Sequence, residues 1–305
     1  MRSVSVSVLN FNGEKNTLEC VESLKKIDTS KLKLNIIVVD NGSVKKLDLK
    51  DGQWGNTSLK VIINQNNLGF SGGQNIGIKY ALKKGSDFIV ILNNDTYVDK
   101  NFLDELLKVA DKDEKIGILV PKIYFAPGFE FHKKRYSEKE QGKVLWYAGG
   151  VMDWANIVGY HRGVDEVDKG QFNITQETEL ATGCCMMIKR EVFEKVGLLD
   201  DKYFLYYEDA DLCMRAKKNG FKIIYVPKSV IWHKNAGSAG GSGSTLQDYY
   251  ITRNRLLFGM RYAPIRAKLA LLKESVKILL NGRYWQRRGI IDFYLGKLGR
   301  GSYKI

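Results

Sequence analysis

Proline is scarce in this chain, with four in 305 residues, and no low-complexity tract occurs. Both features argue against extensive disorder. Cysteine is equally sparse: Cys20, Cys184, Cys185 and Cys213 show neither CxxC nor zinc-finger spacing. The adjacent pair is poorly placed to bridge itself, so all four are expected as buried free thiols in a reducing cytosol. No apolar run reaches the roughly 18 residues that a membrane span needs. The opening "MRSVSVSVLNFNG" meets Asn10 too early for a signal-peptide core and reads as a strand. An apolar fraction of 44% in a chain of this length suffices for a substantial core, in one large domain or two smaller ones.

What is present is an alternation of strand and helix signals over the first 125 residues. Apolar, β-branched runs such as "LNIIVVDNGS", "LKVIINQ", "DFIVILNND" and "KIGILVPKIYF" alternate with helical spacing in "NTLECVESLKKI", "GGQNIGIKYALKKG" and "KNFLDELLKVADKD". This order predicts a parallel sheet covered by helices on both faces. Ligands of such sheets bind at the carboxyl ends of the strands. Those ends are "NFNG", "DNGS", "NQNNLGFSGG" and "NNDT". Residues 126–180 break the pattern and read as loops with short antiparallel strands. Regular structure resumes at "ATGCCMMIKREVFEKVGLLD". The last sixty residues read as basic, amphipathic helices, joined to the rest by the Gly/Ser segment 235–245.

Charge is concentrated at both extremes. Residues 246–305 hold thirteen Lys/Arg against three Asp/Glu, which is most of the net +14. A tail of that sign attracts nucleic acid, anionic lipid or a phosphorylated substrate, unless it is simply a solvated face. By contrast, "YFLYYEDADLCMRAKKNG" sets Glu208, Asp209 and Asp211 within four positions behind an aromatic wall. Acidic residues favour a helix N-terminus. That accounts for one or two of them, with Asp211 expected to cap the helix that follows, and a third suggests a site.

At the strand ends, Asp40 can accept hydrogen bonds from a base or a ribose, or it can simply start a turn. Asn93, Asn94 and Asp95 are oxygen donors suited to a hard cation, or they form an Asx turn closing the strand. "NNLGFSGGQN" matches neither GxGxxG nor GxxxxGK[ST], which disfavours a dinucleotide fingerprint and a P-loop.

The succession "VVDNGS", "NLGFSGGQNIGI", "ILNNDT", "ATGCCMMIKREVFEKVGLLDDKYFLYYEDADLC" and "IWHK" resembles the family 2 inverting glycosyltransferases, in a rhamnosyltransferase-like branch. The resemblance runs from Val4 to about Lys234. It implies a GT-A fold: a Rossmann-like nucleotide-sugar half over about 1–125, an acceptor half over 126–234, and a helical extension over 246–305. It also implies a nucleotide-diphosphate sugar donor with Mg²⁺ or Mn²⁺. Asp209 matches the family's catalytic base. Asp95 and His233 match its metal ligands, with Asn93 standing where the full DxD motif has its first aspartate. On the donor side the resemblance points to Asn10, Asp40, Asn67, Gly69, Phe70, Asn75, Asn93 and Asn94, and on the acceptor side to Tyr207, Glu208 and His161.

The expectation is a transferase building a surface glycan at the cytoplasmic membrane face. The favoured donor is dTDP-rhamnose, with UDP-sugars next and a glycan or lipid-diphosphate acceptor. The basic helices are expected on anionic lipid, nucleic acid is disfavoured, and the Gly/Ser segment is expected to close over donor and acceptor. The rival reading is a non-catalytic polyanion- or glycan-binding module, which would need none of Asp95, Asp209 and His233.

Overall fold

The computed structural model describes residues 1–235 and 243–304. Most of the Gly/Ser segment, with the closure expected of it, lies outside the described residues. A mixed sheet runs through the molecule. Its first half is β1 (Arg2–Asn10), α1 (Glu14–Leu24), β2 (Leu32–Asn41), β3 (Gly52–Trp54), β4 (Thr57–Asn64), α2 (Gly69–Lys83), β5 (Phe88–Asn93), β6 (Thr96–Val98), α3 (Phe102–Ala110) and β7 (Ile116–Phe125). Then come β8 (Leu145–Tyr147), β9 (Gly150–Asp153), β10 (Val158–His161), β11 (Gln176–Glu177), β12 (Cys185–Lys189), α4 (Arg190–Val196), α5 (Glu208–Lys218) and β13 (Lys222–His233). The chain ends in α6 (Thr245–Tyr262), α7 (Ile265–Asn281) and α8 (Tyr284–Tyr294).

The strand order is β11-β13-β7-β12-β5-β1-β2-β4-β3. Strands β4, β2, β1 and β5 are parallel, as the apolar runs predict. Strand β12, from beyond the 125 residues read as a parallel sheet, inserts antiparallel between β5 and β7. Its sequence does not mark the reversal: "CCMMIK" is as continuously apolar as its neighbours, and burial on both faces does not encode direction. In β1, Val4, Val6 and Val8 alternate with Ser5 and Ser7, and all five are fully buried. Ser5 Oγ pairs with Ser86 Oγ at 2.6 Å and Ser7 donates to Gln74 Oε1 of α2 at 2.7 Å, so both buried hydroxyls are partnered.

The C-terminal helices pack against the rest of the molecule through α6, whose Tyr249, Tyr250, Arg253, Asn254, Leu256 and Phe258 are buried. Among the described residues, no helix is long and apolar enough to cross a membrane.

Candidate active site

Parallel register brings the donor-side residues together. Asn10 ends β1 opposite Asp40 on β2, and Asn93 ends β5 opposite Leu9. Asp40 is fully buried, and its carboxylate accepts from Ser43 Oγ at 2.5 Å, Leu47 N at 3.1 Å and Asn10 Nδ2 at 3.2 Å. Asn10 Oδ1 in turn accepts from Thr17 Oγ1 at 2.8 Å, and that hydroxyl receives Asn94 Nδ2 at 2.9 Å. One hydrogen-bonded chain, Asp40–Asn10–Thr17–Asn94, therefore spans three adjacent strand ends. Asn67 Oδ1 accepts from Gly69 N at 2.8 Å and organises the start of α2. Gly69 has φ +76°, and a β-carbon there would sit 2.5 Å from Phe204, so only glycine fits. Asn75 is engaged at both ends of its amide, donating to Leu199 O and Asp201 Oδ1 and accepting from Leu199 N. It ties α2 to the segment that follows α4.

The second cluster forms because β6 pairs antiparallel with the end of β13, setting His233 opposite Thr96. Asp95 Oδ1 and His233 Nε2 face each other at 3.1 Å, in a place where both side chains are nearly buried. That separation is close to the edge of about 3 Å between adjacent ligands of an octahedral ion bound at about 2.1 Å. His233 Nδ1 is buried without a hydrogen-bond partner. Among the described residues, no group of three or more His, Cys, Asp or Glu could hold an ion by itself. Two protein ligands with open positions suit an ion shared with a diphosphate, so the residues present fit a divalent cation. Trp146 stands edge-on to His233 and His161, with ring centres 4.6 and 4.4 Å away. His161 Nδ1 donates to the Trp146 carbonyl at 3.1 Å. Burial lowers the His161 pKa to about 4, so this imidazole is neutral at pH 7 and Nε2 keeps its lone pair.

The acidic cluster opens α5. Asp209 Oδ2 accepts from Gly183 N at 2.8 Å, and Oδ1 accepts from Ala210 N at 2.7 Å. A β-carbon on Gly183 would come within 3.2 Å of the Phe70 ring and 3.5 Å of Asp209 Oδ2, so glycine admits both neighbours. The next residue, Cys184, gives its carbonyl to Asn93 N at 2.8 Å. Two consecutive residues thus join the end of β5, which leads into Asp95, to the Asp209 carboxylate. Burial raises the Asp209 pKa, and the two backbone N–H groups oppose the rise. Burial followed by the Asp209 charge raises Glu208 much further. Its Oε2 has no hydrogen-bond partner, and a buried carboxyl so placed is biased toward its protonated form. The Tyr207 hydroxyl donates to Ile157 O at 2.8 Å.

Asp211 corrects an expectation. It is no helix cap: its fully buried carboxylate accepts from Arg215 Nε at 2.7 Å, Tyr262 OH at 2.7 Å, Arg261 Nη1 at 3.0 Å and Tyr203 OH at 3.1 Å. It sits one turn inside α5, where no orphan N–H remains for a cap to satisfy. The hub joins α5 to the end of α6.

Sequence reasoning also missed the backbone of the preceding turn. Phe204, Tyr206 and Tyr207 have φ of 66°, 70° and 73°. Such values are outliers for aromatic residues, at roughly 1–3 kcal/mol each, and persist only where the surroundings enforce them. Here α2 and α6 enforce them. Phe70 N donates to Phe204 O at 2.6 Å, and Asn254 Nδ2 reaches the carbonyls of Tyr203, Leu205 and Tyr206 at 2.8–2.9 Å. The one available signal was "RN", a polar pair inside an otherwise apolar-faced helix.

All four cysteines are buried and free, as expected. Burial pushes Cys20 and Cys213 up to about 12, which removes them as nucleophiles. A separate open cleft of about 560 Å³ is lined by Lys122, Tyr124, Asp168 and Asn173, among others. It contains none of the residues described above.

A nucleotide-sugar-type sheet, an aspartate–histidine pair at one strand end and a carboxylate at a helix start resemble the GT-A architecture of glycosyltransferases. The family described as "Glycosyl transferase family 2" matches residues 5–197, and the chain belongs to that family. It is 26% identical over 260 residues to the dTDP-rhamnosyl transferase RfbF of Shigella flexneri, covering 81% of this chain and 77% of the relative. It is 41% identical over 158 residues to the N-acetylglucosaminyl-diphospho-decaprenol L-rhamnosyltransferase of Mycobacterium tuberculosis, across 50% of this chain and 49% of the relative. The fold resembles that of GalNAc-T7 solved with UDP, GalNAc and Mn²⁺, with a TM-score of 0.60 at 19% identity over 90% of this chain and 54% of that one. The protein is a family 2 glycosyltransferase.

Proposed function

We propose that the protein is a divalent-metal-dependent, inverting rhamnosyltransferase that uses dTDP-rhamnose and a lipid-diphosphate-linked saccharide acceptor. The observation that carries this reading is the direct linkage, through Gly183 and Cys184, between a carboxylate of raised pKa and the strand end leading to the Asp95–His233 pair. Inversion is a single displacement. The acceptor oxygen bonds to the anomeric carbon, the bond from that carbon to the nucleotide diphosphate breaks, and Asp209 takes the acceptor's proton. Burial raises the Asp209 pKa, which makes its carboxylate a stronger base than that of an ordinary aspartate. Asp95 and His233 would hold the ion, which supplies positive charge to the departing diphosphate. The Asp40–Asn10–Asn94 chain and the start of α2 would fix the nucleoside side, and His161, Tyr207 and Glu208 would border the acceptor. Rhamnose, dTDP and the lipid-linked acceptor are supported by the names of the two relatives. The ion is supported by the Mn²⁺ bound to the structural neighbour.

The acceptor chemistry would place the enzyme on the cytoplasmic face of a membrane, and α7 offers a surface for it. Ile265, Leu269, Val276 and Leu280 are each more than half exposed and recur along one stripe of the helix. Arg266, Lys273 and Lys277 border that stripe, a pattern that favours an anionic bilayer. Leu269→Glu with Leu280→Glu should abolish salt-sensitive binding to phosphatidylglycerol vesicles. Unchanged binding would remove this surface from the proposal.

The deciding test of the reaction is a thermal-shift panel of dTDP, UDP, GDP and CDP, each with and without Mn²⁺. Saturation at about 100 times the dissociation constant stabilises by roughly 2.7 kcal/mol, a readable shift. A Mn²⁺-dependent response to dTDP supports the proposal. A response to UDP alone keeps the mechanism and changes the donor. No response to any nucleotide overturns it in favour of a binding module.

A further inference from the structure

Helix α6 holds two polar side chains at full burial, Arg253 and Asn254, and both are aimed at the turn that carries the acidic cluster. The Asn254 amide donates to three carbonyls of that turn, Tyr203, Leu205 and Tyr206. Its Oδ1 accepts from Arg253 Nε at 3.0 Å, which fixes the amide's orientation. Arg253 Nη2 adds a bond to Tyr203 O at 3.0 Å, and its guanidinium lies over the Tyr249 and Tyr250 rings. Tyr250 stacks on Phe204, with centroids 5.1 Å apart and planes 13° from parallel. The opposite side of the turn is held by α2, through Phe70 N and Ser71 N on Phe204 O.

A buried guanidinium is costly to desolvate, and burial lowers its pKa accordingly. A leucine would fill such space without that cost. What an arginine–asparagine pair adds is direction: Arg253 Nη2 and Asn254 Nδ2 converge on the carbonyls of Lys202, Tyr203, Leu205 and Tyr206, in a turn with three aromatic residues in the left-handed region. Those carbonyls end one residue before Tyr207, and Asp209 follows two residues later.

We infer that Arg253 and Asn254 are positioning residues for the reaction, and that α6 sets where the Asp209 carboxylate stands against the donor. This rests on the reading of Asp209 as the base. The C-terminal extension is then part of the catalytic machinery as well as a surface element. Arg253 and Asn254 hydrogen-bond to none of the donor-side residues and to neither Asp95 nor His233, so their loss should lower turnover while leaving donor binding intact.

The test compares Asn254→Asp, an isosteric change that removes both N–H donors, with Asp209→Asn and wild type. Turnover is read as nucleoside diphosphate released from dTDP-rhamnose, or from the UDP-sugar that binds if dTDP does not. Binding is read by calorimetry with the matching nucleotide and Mn²⁺. We expect Asn254→Asp to lower kcat about 10- to 100-fold, the scale of a misplacement near 1 Å. Nucleotide affinity should stay within about twofold, and the acid limb of the kcat–pH profile should move. Arg253→Lys keeps the charge and should recover part of the rate lost in Arg253→Ala. It also carries the comparison if Asn254→Asp does not fold. Wild-type kcat in a folded Asn254→Asp variant overturns the inference, as does an equal loss of kcat and nucleotide affinity. If Asp209→Asn instead turns over normally, the reading of the base has failed, and the clamp is a structural device alone.

Discussion

The two halves of the candidate site are built in opposite ways. On the donor side, Asn10, Asp40 and Asn94 end regular parallel strands, and most of their partners come from nearby turns and the first turn of α1. On the acceptor side, the turn before Asp209 adopts backbone angles its own residues disfavour, and it is held from α2 and α6. The partner residues lie about 50 positions away along the chain in one case and more than 130 in the other. Contacts within the first hundred residues therefore join Asn10, Asp40 and Asn94, whereas the turn before Asp209 is held from distant parts of the chain. A substitution on the first should act locally, and one on the second should act at a distance.

The largest expected effect is at the chemical step. Asp209→Asn keeps size and hydrogen-bonding capacity but cannot take a proton, so kcat should fall by about 10²–10⁴. Nucleotide affinity measured with Mn²⁺ should be unchanged. In wild type, the acid limb of the pH–rate profile should lie above the ordinary aspartate value of about 3.9, because burial raises this carboxyl. A limb at the ordinary value would assign the base elsewhere.

Next is Asp211→Ala, which would break the comparison if it proved mild. Removing this carboxylate strands two arginines and two tyrosine hydroxyls that converge on it from α5, α6 and the turn. Breaking a buried ion pair from one side costs about 3–5 kcal/mol, and urea denaturation would read the loss. A cost near zero would mean that α6 is not coupled to the acidic turn.

The same contrast explains what could be read from the sequence. The helices and parallel strands of the first half follow from periodicity, and so do the polar strand ends. The pairing of His233 with Asp95 was legible only through the family resemblance, since nothing local ties "IWHK" to "NND" before β6 pairs with β13. Asp211 was misassigned because an acidic residue near a helix start has a sufficient local explanation, and that explanation hides Arg261 and Tyr262 of α6. The left-handed angles at Phe204, Tyr206 and Tyr207 left no trace, since aromatic residues are not the usual marks of such a turn. Likewise, α8 was folded into a generic helical tail, although Asp292 on it takes the Tyr249 hydroxyl at 2.5 Å and so supports α6.

On the donor side, Ser43→Ala should cost less. Asp40 loses one hydroxyl donor and keeps Leu47 N and Asn10 Nδ2. A hydrogen bond to a charged group contributes about 1.5–3 kcal/mol. The loss should appear in stability and in nucleotide affinity together, with kcat at saturating donor nearly unchanged. A fall in kcat alone would blur the line between the two halves.

The smallest effect is expected at Glu208, beside the largest. Burial raises its pKa in the folded protein and so favours the protonated carboxyl there, whereas the unfolded chain ionises it above about pH 4.3. The native state then binds one more proton, so this residue's contribution to stability is complete below that pH and declines as pH rises. Glu208→Gln is isosteric with the protonated form and removes the dependence. Its melting temperature should equal wild type near pH 4.5 and exceed it increasingly toward pH 8. Turnover should change less than tenfold, under about 1.4 kcal/mol of barrier, because a neutral side chain replaces a neutral side chain. A loss as deep as that of Asp209→Asn, with no gain in melting temperature at pH 8, would mean that Glu208 is ionised in the working enzyme and shares the proton transfer with its neighbour.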